Sequence, residues 1–287
     1  MTFRSYPPGV RRGFYRLLLT LVWVLSWTSF GLPAHGAPSW GGLNGRAVEE
    51  ITSSPAGPHV SFLVVGDTRG PGSRFGFLVP QMRDDKGEFL IHLGDLTNRG
   101  THKEYQEALG HLRGVKKPFL VVVGNHELVD RGRPRFEGIF GSRRDIWFRR
   151  GDVLFLLLDN ADGSPLPKER LERIKGVLSS DAPVKLVFMH QPLEDPRGEG
   201  FRHAMDPKGA AELLEVFKST GVSHIFASHV HGFFQGHWGG IPFTVSGGGG
   251  AKLYSSDPDH GFYHYHRVTA GPEGVAVETV PMGGYVR

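Results

Sequence analysis

Six apolar runs recur along the chain, at residues 59–65, 88–94, 118–123, 152–158, 184–189 and 222–228. This rhythm constrains the fold more than any other feature, because short apolar runs bounded by turn residues read as buried strands. Helix-like stretches stand between several of them. "THKEYQEALGHLRGV" (101–115) sets Tyr105, Leu109 and Leu112 at helical spacing behind a threonine cap. "LPKERLERIKGVLSS" (166–180) does the same with Leu171, Ile174 and Leu178, and "KGAAELLEVFKSTG" (208–221) ends on the glycine that often stops a helix. Strands alternating with helices predict a largely α/β architecture. The tail differs: "HWGGIPFTVSG", "GFYHYHRVTA" and "GVAVETVPM" read as three strands without helices between them, expected as antiparallel additions to a sheet. "GGGG" at 247–250 is expected to let backbone pass close to another part of the chain.

The residues at the strand ends are more informative than the strands themselves. The first strand ends in "GDTR", the second in "GDLTN", the third in "GNHE", the fifth in "MHQP" and the sixth in "SHVH". Open α/β sheets bind ligands beyond the carboxyl ends of their strands. One rim would therefore collect Asp67, Asp95, Asn98, Asn125, His126, His190, His229 and His231. Singly, each has a plain structural reading as a turn, a cap or a loop histidine. Jointly they form a donor set for hard to borderline metal ions, which take carboxylate, amide oxygen and imidazole together. The chain has no cysteine, so thiolate sites, disulfides and cysteine nucleophiles are excluded.

In their order and spacing, these blocks resemble those of the calcineurin-like metallophosphoesterases, which include the purple acid phosphatases. The similarity covers about residues 59–231, and "TVSGGGGAKLY" with "YHYHRV" looks like the closing strands of that family. The resemblance implies an α/β (α+β) fold, a four-layer αββα sandwich with two central mixed sheets and a dinuclear metal site at the strand C-terminal rim. It implies two metal ions, of manganese, iron or zinc. Asp67, Asp95 and His231 would hold one and Asn125, His190 and His229 would complete the other, with Asp95 bridging. It also implies hydrolysis of a phosphate ester by a metal-bridging hydroxide. His126 would contact the phosphate or protonate the leaving oxygen, and Glu127 would orient that imidazole.

At one position the chain departs from that pattern. Many members have histidine where this chain has Arg69, which offers only donors and cannot ligate. Purple acid phosphatases use instead a tyrosine three residues after the second aspartate, and that place is Asn98 here. Asn98 or water would fill the gap. Arg69 would either clamp phosphate oxygens, hold its loop through an ion pair, or mark a weakened first site. A non-catalytic metal- or phosphate-binding protein is the alternative reading. Of the remaining histidines, His92 reads as a packed strand residue, and His203, His237, His264 and His266 as solvated rim residues. Substrate identity is not legible in the loops at 70–82, 128–148 and 191–207.

Charge adds an exclusion. The net charge of +4 rests on Arg4, Arg11, Arg12 and Arg16, the only charges in residues 1–36. Without them 29 basic residues balance 29 acidic ones, so nothing points to nucleic acid. Residues 1–36 read as an export signal: a basic start, an apolar run from Leu17 to Leu32, and Ala34 and Gly36 at the small positions of a cleavage site. "RRGFYR" suggests the twin-arginine route. The alternative, a retained membrane anchor, meets a run short of the roughly 20 residues that span a bilayer. Residues 37–58 read as an irregular lead-in and 59–287 as the phosphoesterase domain, with an exported location and a phosphate ester as the expected partner.

Overall fold

The computed structural model describes residues 42–70 and 72–284. The expected export segment, 1–36, lies outside the described residues. Among these, no helix is long and apolar enough to cross a membrane.

Three parallel strands, β1 (Val60–Val65), β2 (Leu90–His92) and β3 (Phe119–Val121), form one side of the first sheet, with β3 at its edge. Two antiparallel strands from the end of the chain, β10 (His264–Gly271) and β11 (Gly274–Pro281), extend it in the order β11-β10-β1-β2-β3. The second sheet takes β4 (Ile146–Arg150), β5 (Val153–Leu157), β6 (Val184–Phe188), β7 (His224–Ala227), β8 (Phe233–Trp238) and β9 (Ile241–Ser246), in the order β4-β5-β6-β7-β9-β8. Its β5, β6 and β7 run parallel. Both sheets thus present several strand carboxyl ends in one direction each.

Phenylalanine holds the sheets together. Phe155, Phe188 and Phe226, on three neighbouring strands, stack at 5.9 and 5.1 Å between ring centres. Phe62 of the first sheet meets all three edge-on at 5.2 to 6.4 Å. Burying each such side chain contributes about 1.5–3 kcal/mol. On the outer face of the first sheet lie α2 (Phe75–Asp84) and α3 (His102–Gly114), through Leu78, Met82, Tyr105 and Leu112. On the outer face of the second lie α5 (Lys168–Leu178) and α6 (Pro207–Thr220), through Ile174, Leu178, Leu213 and Phe217. The layers form the expected four-layer αββα sandwich. The threonine read as the start of α3 is a reciprocal cap: Glu104 N–H donates to Thr101 Oγ1 at 3.3 Å, and Thr101 N–H donates to the Glu104 carboxylate at 2.9 Å.

Several local expectations need correction. Residues 42–53 are not irregular: α1 (Gly42–Ser53) buries Ala47, Val48 and Ile51. Asn44 explains why it forms there. Its side chain donates to Val121 O at 3.0 Å and accepts from Val121 N–H at 2.9 Å, satisfying the open edge of β3. The loops expected at 70–82 and 128–148 contain α2 and α4 (Arg133–Phe140). "HWGGIPFTVSG" is a hairpin rather than one strand, because Gly239 and Gly240 both take positive φ, 55° and 89°, and fold β8 back on β9. The tail is not wholly antiparallel, since β9 runs parallel to β7.

Candidate metal centre

Asp67 comes just after β1, Asp95 after β2 and Asn125 after β3. His190 comes after β6, and His229 and His231 after β7. The fold brings all six together from both sheets. Potential ligand atoms of Asp67, Asp95 and His231 lie within 4.8 Å of one another, as do those of Asp95, His190 and His229. Asp95 belongs to both clusters, as a bridging ligand would.

The glycines of the strand-end blocks are required by crowding. A Cβ on Gly124 would sit 2.3 Å from Asp95 Oδ1, and one on Gly66 would sit 2.0 Å from Ser228 Oγ. The glycine run behaves as expected: Gly249 N–H donates to Gly66 O at 2.9 Å, bringing the run against the end of β1.

Hydrogen bonds fix the ring orientations. His190 donates its Nδ1–H to Leu93 O at 2.9 Å, and His231 donates its Nδ1–H to Lys252 O at 2.6 Å. Their Nε2 lone pairs therefore face inward. His190 Nε2 lies 2.9 Å from Asn125 Oδ1, 3.2 Å from His229 Nδ1 and 3.3 Å from Asp95 Oδ1. His231 Nε2 lies 3.3 Å from Asp67 Oδ1, a buried oxygen that accepts no hydrogen bond. Acceptors converging in this way repel unless a cation lies among them. Separations near 3 Å suit the edges of a coordination sphere with bonds of about 2.1 Å. The donors present fit metal ions.

The electrostatics agree. Burial would raise the Asp67 carboxyl, but the neighbouring His231 and His190 rings and the Ser228 hydroxyl outweigh it and hold the carboxyl well below the usual range. Burial, with His190 beside it, pushes His229 down to about 3. The ring is then a neutral ligand. Asp67 Oδ2 also accepts from Ser228 Oγ and, at 2.8 Å, from His229 N–H, tying the two sheets.

His126 stands at the edge of the cluster. Its Nδ1–H donates to Asn98 O at 2.7 Å, and its Nε2 faces Asp95 Oδ2 at 3.9 Å. The expected contact between Glu127 and this ring is not made. Glu127 is fully buried and accepts from the N–H groups of Asp95, Thr97 and Gly124 at 2.9 Å each, and from Thr97 Oγ1 at 2.8 Å. Four donors bind it more favourably than one imidazole would, so it braces the loops behind Asp95. Burial and the Asp95 charge push its carboxyl up to about 7.

Arg69 is drawn into the cluster. Its Nε–H donates to Asp95 Oδ2 at 3.0 Å and one terminal N–H to Asn98 Oδ1 at 3.2 Å. Asn98 thus faces the guanidinium.

Other groups were not legible as neighbours. Asn160, just after β5, accepts from His190 N–H at 3.0 Å and from Gln191 N–H at 3.1 Å, so the one strand end passed over in the sequence positions His190. The Tyr254 ring stacks on His231 at 4.1 Å. His203 lies 5.6 Å from His229 and 5.3 Å from Tyr254, and the Arg197 guanidinium lies over both Phe201, at 4.3 Å, and the Tyr254 ring, at 5.6 Å. Two of the large apolar residues most exposed among those described, Phe201 and Tyr254, thus belong to this rim. His92 is packed as expected: it accepts from Gly94 N–H at 3.2 Å and donates to Thr68 Oγ1 at 2.9 Å. His264 and His266 are not solvated; both are fully buried on β10.

Comparison with known proteins gives consistent matches. A family model described as calcineurin-like phosphoesterase matches residues 60–233, more than half of the 287. A probable cyclic nucleotide phosphodiesterase of Rhodopseudomonas palustris is 25% identical over 175 residues, 56% of this chain and 62% of that protein. The match therefore spans less than two thirds of that relative's length. Among solved structures, a purple acid phosphatase from yellow lupin superposes with a TM-score of 0.64 at 17% identity, over 82% of this chain and 53% of that one. GAP50 of Plasmodium, an anchor in the inner membrane complex, gives 0.61 at 13% identity, over 80% and 87%. A dimetal phosphatase from Danio rerio gives 0.59 at 14% identity, over 78% and 99%. At these identities the structural likeness is one of fold.

Proposed function

Because the chain belongs to the calcineurin-like phosphoesterases, we propose that it hydrolyses a phosphate monoester or diester at the rim where the two clusters meet. The observation that carries this reading is the pair of clusters sharing Asp95. Asp67, Asp95 and His231 would hold one ion, and Asp95, Asn125, His190 and His229 another. Bound there, a metal pair supplies an acidified water and a clamp for phosphoryl oxygens. The protein's residues do the rest. Asn125 and the two histidines of the second cluster present neutral donors, so the site stays net cationic toward an anionic ester. His126 directs Nε2 at the same space, with Nδ1–H held by Asn98 O; as an imidazolium it would give its Nε2 proton to the leaving oxygen and return to the neutral Nδ1–H ring. Arg69, close by, offers a charged fork for non-bridging oxygens. The basic start, apolar run and small-residue site of residues 1–36 support export, which N-terminal sequencing of the mature protein tests.

Assay of a nitrophenyl phosphomonoester and a bis-nitrophenyl diester, with and without added manganese, tests the reaction. Metal-dependent turnover is expected with the wild type and its loss with Asp95→Asn, which removes charge from both clusters. One observation favours the second reading, a non-catalytic metal-binding protein: Arg69 already occupies acceptors of the first cluster. Ions bound without turnover of either ester would decide for it.

A further inference from the structure

The two clusters are not equivalent. In the second, His190 Nε2, His229 Nδ1, Asn125 Oδ1 and Asp95 Oδ1 face one another. In the first, a cation is built in. Arg69 covers Asp95 Oδ2 through Nε and Asn98 Oδ1 through one terminal nitrogen, and its other terminal nitrogen lies 3.4 Å from His231 Nε2. A guanidinium has only donors, so in this contact His231 Nε2 accepts, while its Nδ1–H is given to Lys252 O. One planar fork thus engages three acceptors around the first cluster.

We propose that Arg69 is the resident cation of the first cluster. The chain then holds one metal ion tightly, at Asp95, Asn125, His190 and His229. The Asp67–Asp95–His231 cluster takes an ion only when the guanidinium leaves. This rests on the metal-dependent reading above and goes beyond it in assigning unequal sites.

Three physical points carry the inference. A guanidinium does not deprotonate in a protein, so an incoming ion cannot neutralise it as it would a histidine or lysine. A divalent ion at Asp67 and His231 would share Asp95 with a fixed positive charge in a site that is nearly dry, where like charges repel strongly: Asp95 is 1% and Arg69 16% exposed. The residual exposure of Arg69 gives it an exit. A phosphate group arriving at the rim offers the guanidinium two anionic oxygens in place of one carboxylate oxygen, an amide and an imidazole.

Manganese titration with direct counting of bound ions tests this on the full chain, without substrate. The wild type is expected to bind one Mn²⁺ per chain, and a second only at a free concentration higher by about 10–100-fold, the usual scale for disturbing a neighbour of a metal ligand. Arg69→Ala is expected to bind two ions of similar affinity. Arg69→Gln, which keeps donors and removes the charge, should do the same and serves if Arg69→Ala fails to fold. His229→Ala should lower the wild-type count from one to none, and His231→Ala should leave it at one. Two ions of matched affinity in the wild type, or a count of one in both Arg69 variants, would overturn the proposal. No ion bound by the wild type at all would overturn the metal-dependent reading itself.

Discussion

Three of the expected ligands sit in strained backbone. Asp67, Asp95 and His229 have φ of 53°, 55° and 69°, the left-handed region that costs a non-glycine residue roughly 1–3 kcal/mol. Each is held there by neighbours. Asp67 N–H donates to Gly94 O at 3.1 Å, Asp95 N–H to Glu127, and His229 N–H to Asp67 Oδ2. The strain turns side chains into the rim before any ligand arrives. His126 belongs to neither candidate metal cluster, which makes its role separable from metal binding. Replacing it by alanine is expected to lower kcat about 10²–10⁴-fold on an alkyl phosphate, whose leaving oxygen needs a proton, and much less on a nitrophenyl ester. The metal count should not change. An equal loss on both esters would remove His126 as the proton donor.

At the scale of elements, β1, β2, β3, β6 and β7 could be read because each joins an apolar run to a polar block, and the glycines in those blocks are demanded by contact. Elements set by tertiary partners could not be read. Helix α1 depends on Asn44 meeting the β3 edge, far away in sequence, and β4 is a short edge strand whose signal is its pairing with β5. Glu127 illustrates the same limit for the site. Its neighbour His126 suggested a partner, whereas the donors that claim it come chiefly from the loop after β2. Tyr254 joins His231 only through the turn after β9, and no spacing announces that contact. Strands β7 and β10 also carry a pH liability. Burial pushes His224 and His264 down to about 4 each, so both are neutral in the folded chain and charged in the unfolded chain at lower pH. The folded state binds fewer protons between pH 6.5 and 4. Stability is therefore expected to fall as pH drops through that window, by up to about 1.4 kcal/mol per pH unit for each group. Denaturant melts across the window check this, and His264→Gln should flatten the slope.

For the molecule as a whole, the candidate centre is a clasp between two sheets. Asp67, Asp95 and Asn125 come from one, and His190, His229 and His231 from the other. Phenylalanine packing joins the sheets along their length, but at the rim acceptors face acceptors. Adding manganese to chelator-treated protein at about 100 times its Kd is expected to stabilise the fold by about 2.7 kcal/mol. That raises Tm by about 5–10 °C for a chain of this size. A Tm indifferent to saturating manganese would mean that no ion closes the clasp. The order of the ligands along the chain has a temporal side as well. Asp67 emerges early in synthesis and His231 late, with β7 needed to bring the last imidazoles into place. A nascent chain stopped short of residue 229 has its first strands and His190 but lacks His229 and His231, so neither cluster is complete. An ion held by both clusters would then be loaded as a finishing step rather than as a seed for folding.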